Sequence, residues 1–217
     1  MIDLNNLNIK IFLDTANLDK IKNLLTNYPF IKGFTTNPSL MHKEGVKNYE
    51  EFCKEALNVS SNLPISFEVF SDDLKDMEEE ARIIHSWGGN SYVKIPISNT
   101  KGNSTSDVIS NLTKDGIKIN VTAIFTVDQI TSILDFFNDT TPSIVSVFAG
   151  RIADSGIDPI KIMSECSKIL KSKKIFKDDI FCLEDPVLQI RTIPQKKFET
   201  VDLMHFNSKR QYYTESH

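Results

Sequence analysis

Short apolar, β-branched runs recur along the chain, with helix-length stretches between them. Strand-like runs begin at Ile9 (IKIFLD), Gly33 (GFTTN), Ile65 (ISFEVF), Tyr92 (YVKIPI), Lys118 (KINVTAIF) and Ser143 (SIVSVFAG). Weaker ones begin at Ile180 (IFCL) and Val201 (VDLMHF). The stretches between them predict helices over Leu18–Asn27, Asn48–Leu57, Leu74–Ser86, Thr105–Asp115, Val127–Phe137 and Pro159–Leu170. Strand alternating with helix implies a parallel sheet, because parallel strands need a crossover between them. An open doubly wound sheet and a closed barrel share this pattern. Eight units in 217 residues favour an α/β single-domain (β/α)8 TIM barrel. No strand is followed by a Gly-rich dinucleotide or P-loop motif, which counts against a nucleotide-binding open sheet. No linker or low-complexity segment divides the chain, so the expected domain is residues 1–206, followed by a polar tail at 207–217.

Composition narrows the function classes. Apolar residues make up 40% and charged residues 25%, as in an ordinary globular protein. A net charge of −4 argues against nucleic acid or an anionic membrane surface as partner, although one or two local cations still suffice for a phosphate. Cys53, Cys166 and Cys182 lie far apart and form neither a disulfide framework nor a zinc motif, which fits a reducing compartment. With no long apolar run and no leader-like pattern at its N-terminus, the chain is expected to be cytoplasmic.

Candidate chemistry gathers at the C-terminal ends of the strands, where a (β/α)8 barrel builds its site. Asp14 closes the first strand, Thr36 and Asn37 the second, and Glu68 the third. Lys94 interrupts the fourth, Asn120 and Thr122 lie in the fifth, Ser146 lies in the sixth, and Arg151 follows it. Lys94 sits among Tyr92, Val93, Ile95, Pro96 and Ile97. An amine in such a wall is poorly solvated as an ammonium, and its lone pair is freed for attack on a carbonyl. A lysine snorkelling outward between helices fits the same local sequence. Asp14 reads as an acid/base or as the N-cap of the next helix, and Asn37 before Pro38 as a ligand or as turn chemistry. Glu68 stands between Phe67 and Val69 and needs a partner there, which Lys94 or a water would supply. Thr122 and Ser146 are unremarkable singly, and Arg151 reads as a surface ion-pair residue or a phosphate clamp.

Taken in order, several stretches resemble the transaldolase family, including its short-chain branch and the related fructose 6-phosphate aldolases. They are FLDTAN (Phe12–Asn17), GFTTNPSL (Gly33–Leu40), SFEV (Ser66–Val69), YVKIPI (Tyr92–Ile97), INVTAIFT (Ile119–Thr126) and VSVFAGRIADSGIDP (Val145–Pro159). The resemblance covers about residues 9–170. It implies that Lys94 forms a Schiff base with a ketose phosphate, that Asp14 takes the C4 hydroxyl proton, and that Glu68 and Thr122 hold a catalytic water. It further implies that Asn37 and Asn120 bind the dihydroxyacetone unit, that Ser146 lines the pocket, and that Arg151 grips the acceptor phosphate. No metal or cofactor is implied, since the lysine polarises the substrate. Glu68 and Phe148 stand where the family's aldolases carry Gln and Tyr, which favours group transfer over release. The family's short members form homo-oligomers of five subunits or ten, so a homo-oligomer is expected.

The resemblance fails beyond about Lys174. A segment like WAS-x-R, whose Ser and Arg help bind phosphate, is expected there, and the chain reads IFCLEDPVLQIRTIPQKK instead. Glu184 and Asp185 would repel an anion, and Arg191 is the only nearby cation. Three readings of residues 174–197 stay open: an enzyme with an altered phosphate site, an altered reading frame in the gene, or a barrel that has lost catalysis.

Overall fold

The computed structural model describes residues 9–173, 176 and 179–183. Six strands run β1 (Ile9–Asp14), β2 (Ile31–Thr35), β3 (Ile65–Glu68), β4 (Ser91–Pro96), β5 (Ile119–Ile124) and β6 (Ser143–Val147). They lie side by side in chain order, and each pairs in parallel with the next. A doubly wound sheet reverses its order at a switch point. This one does not, and it winds in one direction as a half-barrel.

A further strand, β7 (Asp179–Leu183), pairs in parallel with the free edge of β1. It corresponds to the run expected as the seventh strand, beside β6. It stands instead where the last strand of a closed barrel belongs, so the described sheet keeps β6 and β7 as its two edges. The expected eighth strand at Val201, the residues flanking β7 in the 174–197 segment, and the 207–217 tail lie outside the described residues.

Helices connect the strands and cover one face: α1 (Leu18–Asn27), α2 (Pro38–Lys43), α3 (Tyr49–Val59), α4 (Leu74–Ser86), α5 (Ser106–Lys114), α6 (Val127–Ile133), α7 (Ala149–Asp154) and α8 (Pro159–Leu170). Five of the six expected helices agree to within two residues at each end. The sixth stops at Ile133 and tightens into a 3-10 turn over Leu134–Phe136, short of the expected Phe137. The short helices α2 and α7 were not expected. Six of the eight helix starts have a local cause: Asn17, Asn37, Asn48, Asp73, Thr126 and Asp158 accept backbone N–H groups from the first turn, and Pro38 and Pro159 occupy first-turn positions that need no N–H.

Strand parity sorts the two faces. Ile11, Leu13, Phe34, Ile65, Phe67, Val93, Ile95, Ile119 and Val121 join the helices in one apolar core. The alternate positions Phe12, Asp14, Gly33, Thr35, Ser66, Glu68, Lys94, Asn120, Thr122 and Ser146 face the other way. Their face is concave. Ser66 on β3 and Asn120 on β5 hydrogen-bond over the intervening β4 at 3.1 Å. In a flat sheet two short side chains cannot readily span the roughly 9.5 Å between alternate strands. Gly33 permits this curvature locally, because a Cβ there would be driven into the Phe12 ring. On β5, Ala123 takes a left-handed backbone (φ +59°) where the register to β6 slips, and Ile124 is thereby returned to the helix-side core.

Candidate active site

Lys94 occupies the middle of the concave face at the C-terminal half of β4. It is buried, with 9% of its surface exposed, which excludes the outward snorkelling reading. Its neighbours in register are Glu68 on β3 and Asn120 on β5. The Lys94 Nζ lies 3.3 Å from Glu68 Oε2 and donates to the Thr36 carbonyl at 3.4 Å. The expected partner of Glu68 is therefore the lysine itself. An isolated ammonium or carboxylate here would be costly, and each compensates the other.

Asp14 caps no helix: Asn17 fills that role for α1, accepting from Lys20 N at 2.8 Å. Asp14 instead lies beside the end of β2, where Thr35 Oγ1 donates to its Oδ1 at 2.7 Å and Asn37 Nδ2 to its Oδ2 at 3.3 Å. Asn37 does two jobs, since its Oδ1 also accepts Leu40 N at 2.9 Å and starts α2. Both readings of Asn37 are thus satisfied by one side chain. The Thr36 carbonyl, between Thr35 and Asn37, is the acceptor for Lys94, so the aspartate cluster and the lysine meet at the end of β2.

On the other side of Lys94, Asn120 is almost wholly buried. Its Nδ2 donates to Ser66 Oγ at 3.1 Å, and Ser146 Oγ donates to its Oδ1 at 2.7 Å. Thr122, the residue after Val121 and opposite Pro96, is 1% exposed. Its hydroxyl has no hydrogen-bond partner among the described residues. A buried hydroxyl in that condition calls for a water or a ligand. Phe148 lies between β6 and α7: its N–H donates to the Ile124 carbonyl at 2.8 Å and its ring packs edge-on against Phe125 at 5.7 Å. Arg151, which follows β6, lies in α7, and it is exposed, with no ion pair among the described residues.

Three participants were missed from sequence. Thr35 holds Asp14, Ser66 holds Asn120, and the Tyr49 hydroxyl donates to the Glu68 carbonyl at 2.7 Å. The Tyr49 bond has a local reason. Thr36 N donates to the Ser66 carbonyl, but the next donor position along that edge is Pro38, which has no N–H. Burial first, then the nearby Cys53, Glu68 and Glu80, raises the Tyr49 phenol far above its ordinary range, so it stays a donor. Cys53 and Cys166 are free and buried, and burial raises both thiols, that of Cys166 to about 11. Spacing could have found Ser66, which stands two residues before Glu68 on the same strand face.

The loops above the pocket are tied by carboxylates. Glu80 accepts from Phe70 N, Ser71 N and Ser71 Oγ, and Asp72 accepts from Thr100 N and Oγ1. Among the described residues no group of three or more His, Cys, Asp or Glu side chains is placed to hold a metal ion, and no helix is long and apolar enough to cross a membrane.

A parallel half-barrel with a buried lysine, a paired carboxylate and a second carboxylate cluster on its concave face is equipped for amine chemistry on a carbonyl compound. The family model for transaldolase/fructose-6-phosphate aldolase matches residues 11–200, and the chain belongs to that family. The match continues through the atypical 174–197 segment, further than the motifs carry the resemblance. A protein named "Probable transaldolase" from Streptococcus equi subsp. zooepidemicus is 37% identical over 162 residues, covering 75% of this chain and 71% of that one. Another of the same name, from Thermoplasma volcanium, is 38% identical over 166 residues, covering 76% and 70%. A solved dihydrodipicolinate synthase from Rhodopseudomonas palustris is a distant neighbour, with a TM-score of 0.40 and 11% identity over 83% of this chain and 64% of that one.

Proposed function

We propose that this protein is a transaldolase, moving a dihydroxyacetone unit from a ketose phosphate such as fructose 6-phosphate or sedoheptulose 7-phosphate to an aldose phosphate. The observation that carries the reading is the buried Lys94 amine, 3.3 Å from Glu68 on the concave face, in a chain of this family. The Lys94 amine adds to the C2 carbonyl, and the carbinolamine loses water to give an iminium. Asp14 takes the C4 hydroxyl proton as the C3–C4 bond breaks, and the bonding pair moves into the iminium to leave an enamine. The freed aldose phosphate departs. The enamine carbon then attacks the acceptor aldehyde, Asp14 returns the proton, and water hydrolyses the new iminium to release the product. Glu68 and the unpartnered Thr122 hydroxyl suit a water that shuttles protons at the carbinolamine. Asn37, Asn120 and Ser146 hold the three-carbon unit, and the exposed Arg151 is free to meet the acceptor phosphate. Homo-oligomer assembly and a cytoplasmic location belong to the same reading.

Borohydride reduction with fructose 6-phosphate, followed by intact-mass and peptide analysis, tests it. The expected result is a reduced three-carbon adduct on Lys94 that disappears in Lys94→Met. A folded wild type that traps nothing refutes the Schiff-base reading. Glu68 and Phe148, where the aldolases of this family carry Gln and Tyr, set transfer ahead of simple release. Free dihydroxyacetone produced as fast without an acceptor as with one would reverse that order.

A further inference from the structure

The chemistry above leaves one residue of the pocket floor without a role. Ser66 has 0% of its surface exposed and lies on the concave face, two residues before Glu68 and in register with Thr35 on β2. In an eight-stranded barrel each interior layer is supplied by alternate strands, and bulky branched side chains dominate it. Ser66 on β3 and Asn120 on β5 are on alternate strands and share a hydrogen bond at 3.1 Å. The layer beside Lys94 is thus built from a hydroxyl and an amide, which gain less from burial than a Val or Leu pair and must be paired to be tolerated. The chain continues to β6, where Ser146 Oγ donates to Asn120 Oδ1 at 2.7 Å.

The arithmetic of donors points to a purpose. An Asn side chain has one carbonyl and two N–H groups. Ser146 meets the carbonyl and Ser66 accepts one N–H, which leaves a single N–H on the residue in register with Lys94. We propose that Ser66 is a positioning residue: it fixes the plane of the Asn120 amide so that the remaining N–H meets a hydroxyl of the ketose bound at Lys94. This rests on the transaldolase reading of the pocket. Ser66 touches no substrate and works only through Asn120.

The test is a double-mutant cycle with steady-state kinetics on fructose 6-phosphate and erythrose 4-phosphate. Wild type, Ser66→Ala, Asn120→Ala and the double variant are compared, with far-UV circular dichroism and Tm to check folding. Ser66→Cys, which is slightly larger and a poor acceptor, covers the case in which Ser66→Ala does not fold. The expected result is a kcat lowered about tenfold by either Ser66 substitution, the size of one neutral hydrogen bond lost in the transition state. The KM for erythrose 4-phosphate stays within about twofold, and adding Ser66→Ala to Asn120→Ala costs nothing further. A kcat equal to wild type overturns the assignment, and so does a loss that persists undiminished in the Asn120→Ala background, which marks a purely structural serine. An inactive, folded wild type instead brings down the transaldolase reading, and this assignment with it.

Discussion

Single residues that carry charge in an apolar strand were legible from sequence, and the hydroxyls that brace the site were not. Lys94 and Glu68 announce themselves because a buried charge demands a reason, and they are found 3.3 Å apart. Thr35, Ser66 and Tyr49 look ordinary, since hydroxyls are common in strands and helices, and each acts on a residue 19 to 54 positions away. Asp14 shows how a sound local rule loses: it precedes a helix, as a cap should, but Asn17 is nearer and takes the Lys20 N–H. Two predictions belong at this scale. Tyr49→Phe removes the donor to the Glu68 carbonyl and should cost about 1 kcal/mol in urea unfolding, the usual net value of one hydrogen bond. No change in the midpoint would mean that the carbonyl finds another donor. Gly33→Ala drives a methyl into the Phe12 ring, itself fully buried, and should destabilise by about 1–3 kcal/mol, as overpacking does. Pairing it with Phe12→Leu should recover part of the loss, and an uncompensated loss would place the strain elsewhere.

At the scale of elements, the strands β1 to β6 and the longer helices could be read because each is long enough to show a period. The helices α2 and α7 could not: six residues span fewer than two turns, so no amphipathic stripe develops. Their boundaries come from capping and packing alone. The loops depend on side chains distant in sequence as well, and the one after β3 makes a pH prediction. Burial by itself raises the Glu80 carboxyl, but the hydrogen bonds from Ser71 and from the Phe70 backbone outweigh it and hold it below the usual range. A carboxyl lower in the folded state than in the unfolded chain binds fewer protons when folded. Its contribution is therefore complete above the ordinary Glu range, near about 4.3, and is lost as pH falls through the lower folded value. Thermal melts of wild type and Glu80→Gln should differ by a constant Tm from about pH 7 to about pH 5 and converge toward about pH 3. A Tm gap that widens in acid would contradict the assignment.

For the whole molecule, the sequence pattern conveyed the parallel winding and the end of the sheet where the candidate side chains gather. It did not convey where residues 179–183 pair, because an apolar run fits any open parallel edge, and β1 and β6 both offer one. On the proposed transaldolase reading, whether the site transfers or releases a three-carbon unit is also a property of the whole, since it depends on what surrounds the enamine while it waits. An enamine is lost to solvent when a proton donor reaches its carbon, and it survives when the wall beside it is apolar. Phe148 stands at the junction of β6 and α7, with its backbone held by Ile124 and its ring packed on Phe125, and the proposed reading makes it part of such a wall. Phe148→Tyr changes little in volume and adds one hydroxyl, so the fold and the Lys94 adduct should both survive. Free dihydroxyacetone formed from fructose 6-phosphate without an acceptor should rise by about tenfold, the low end of what one positioned proton donor contributes, while transfer to erythrose 4-phosphate falls. Assaying both products from one reaction gives the partition directly. A variant that traps on Lys94 and still releases no more dihydroxyacetone than wild type would move the control of transfer away from Phe148, leaving Glu68 as the position to substitute next.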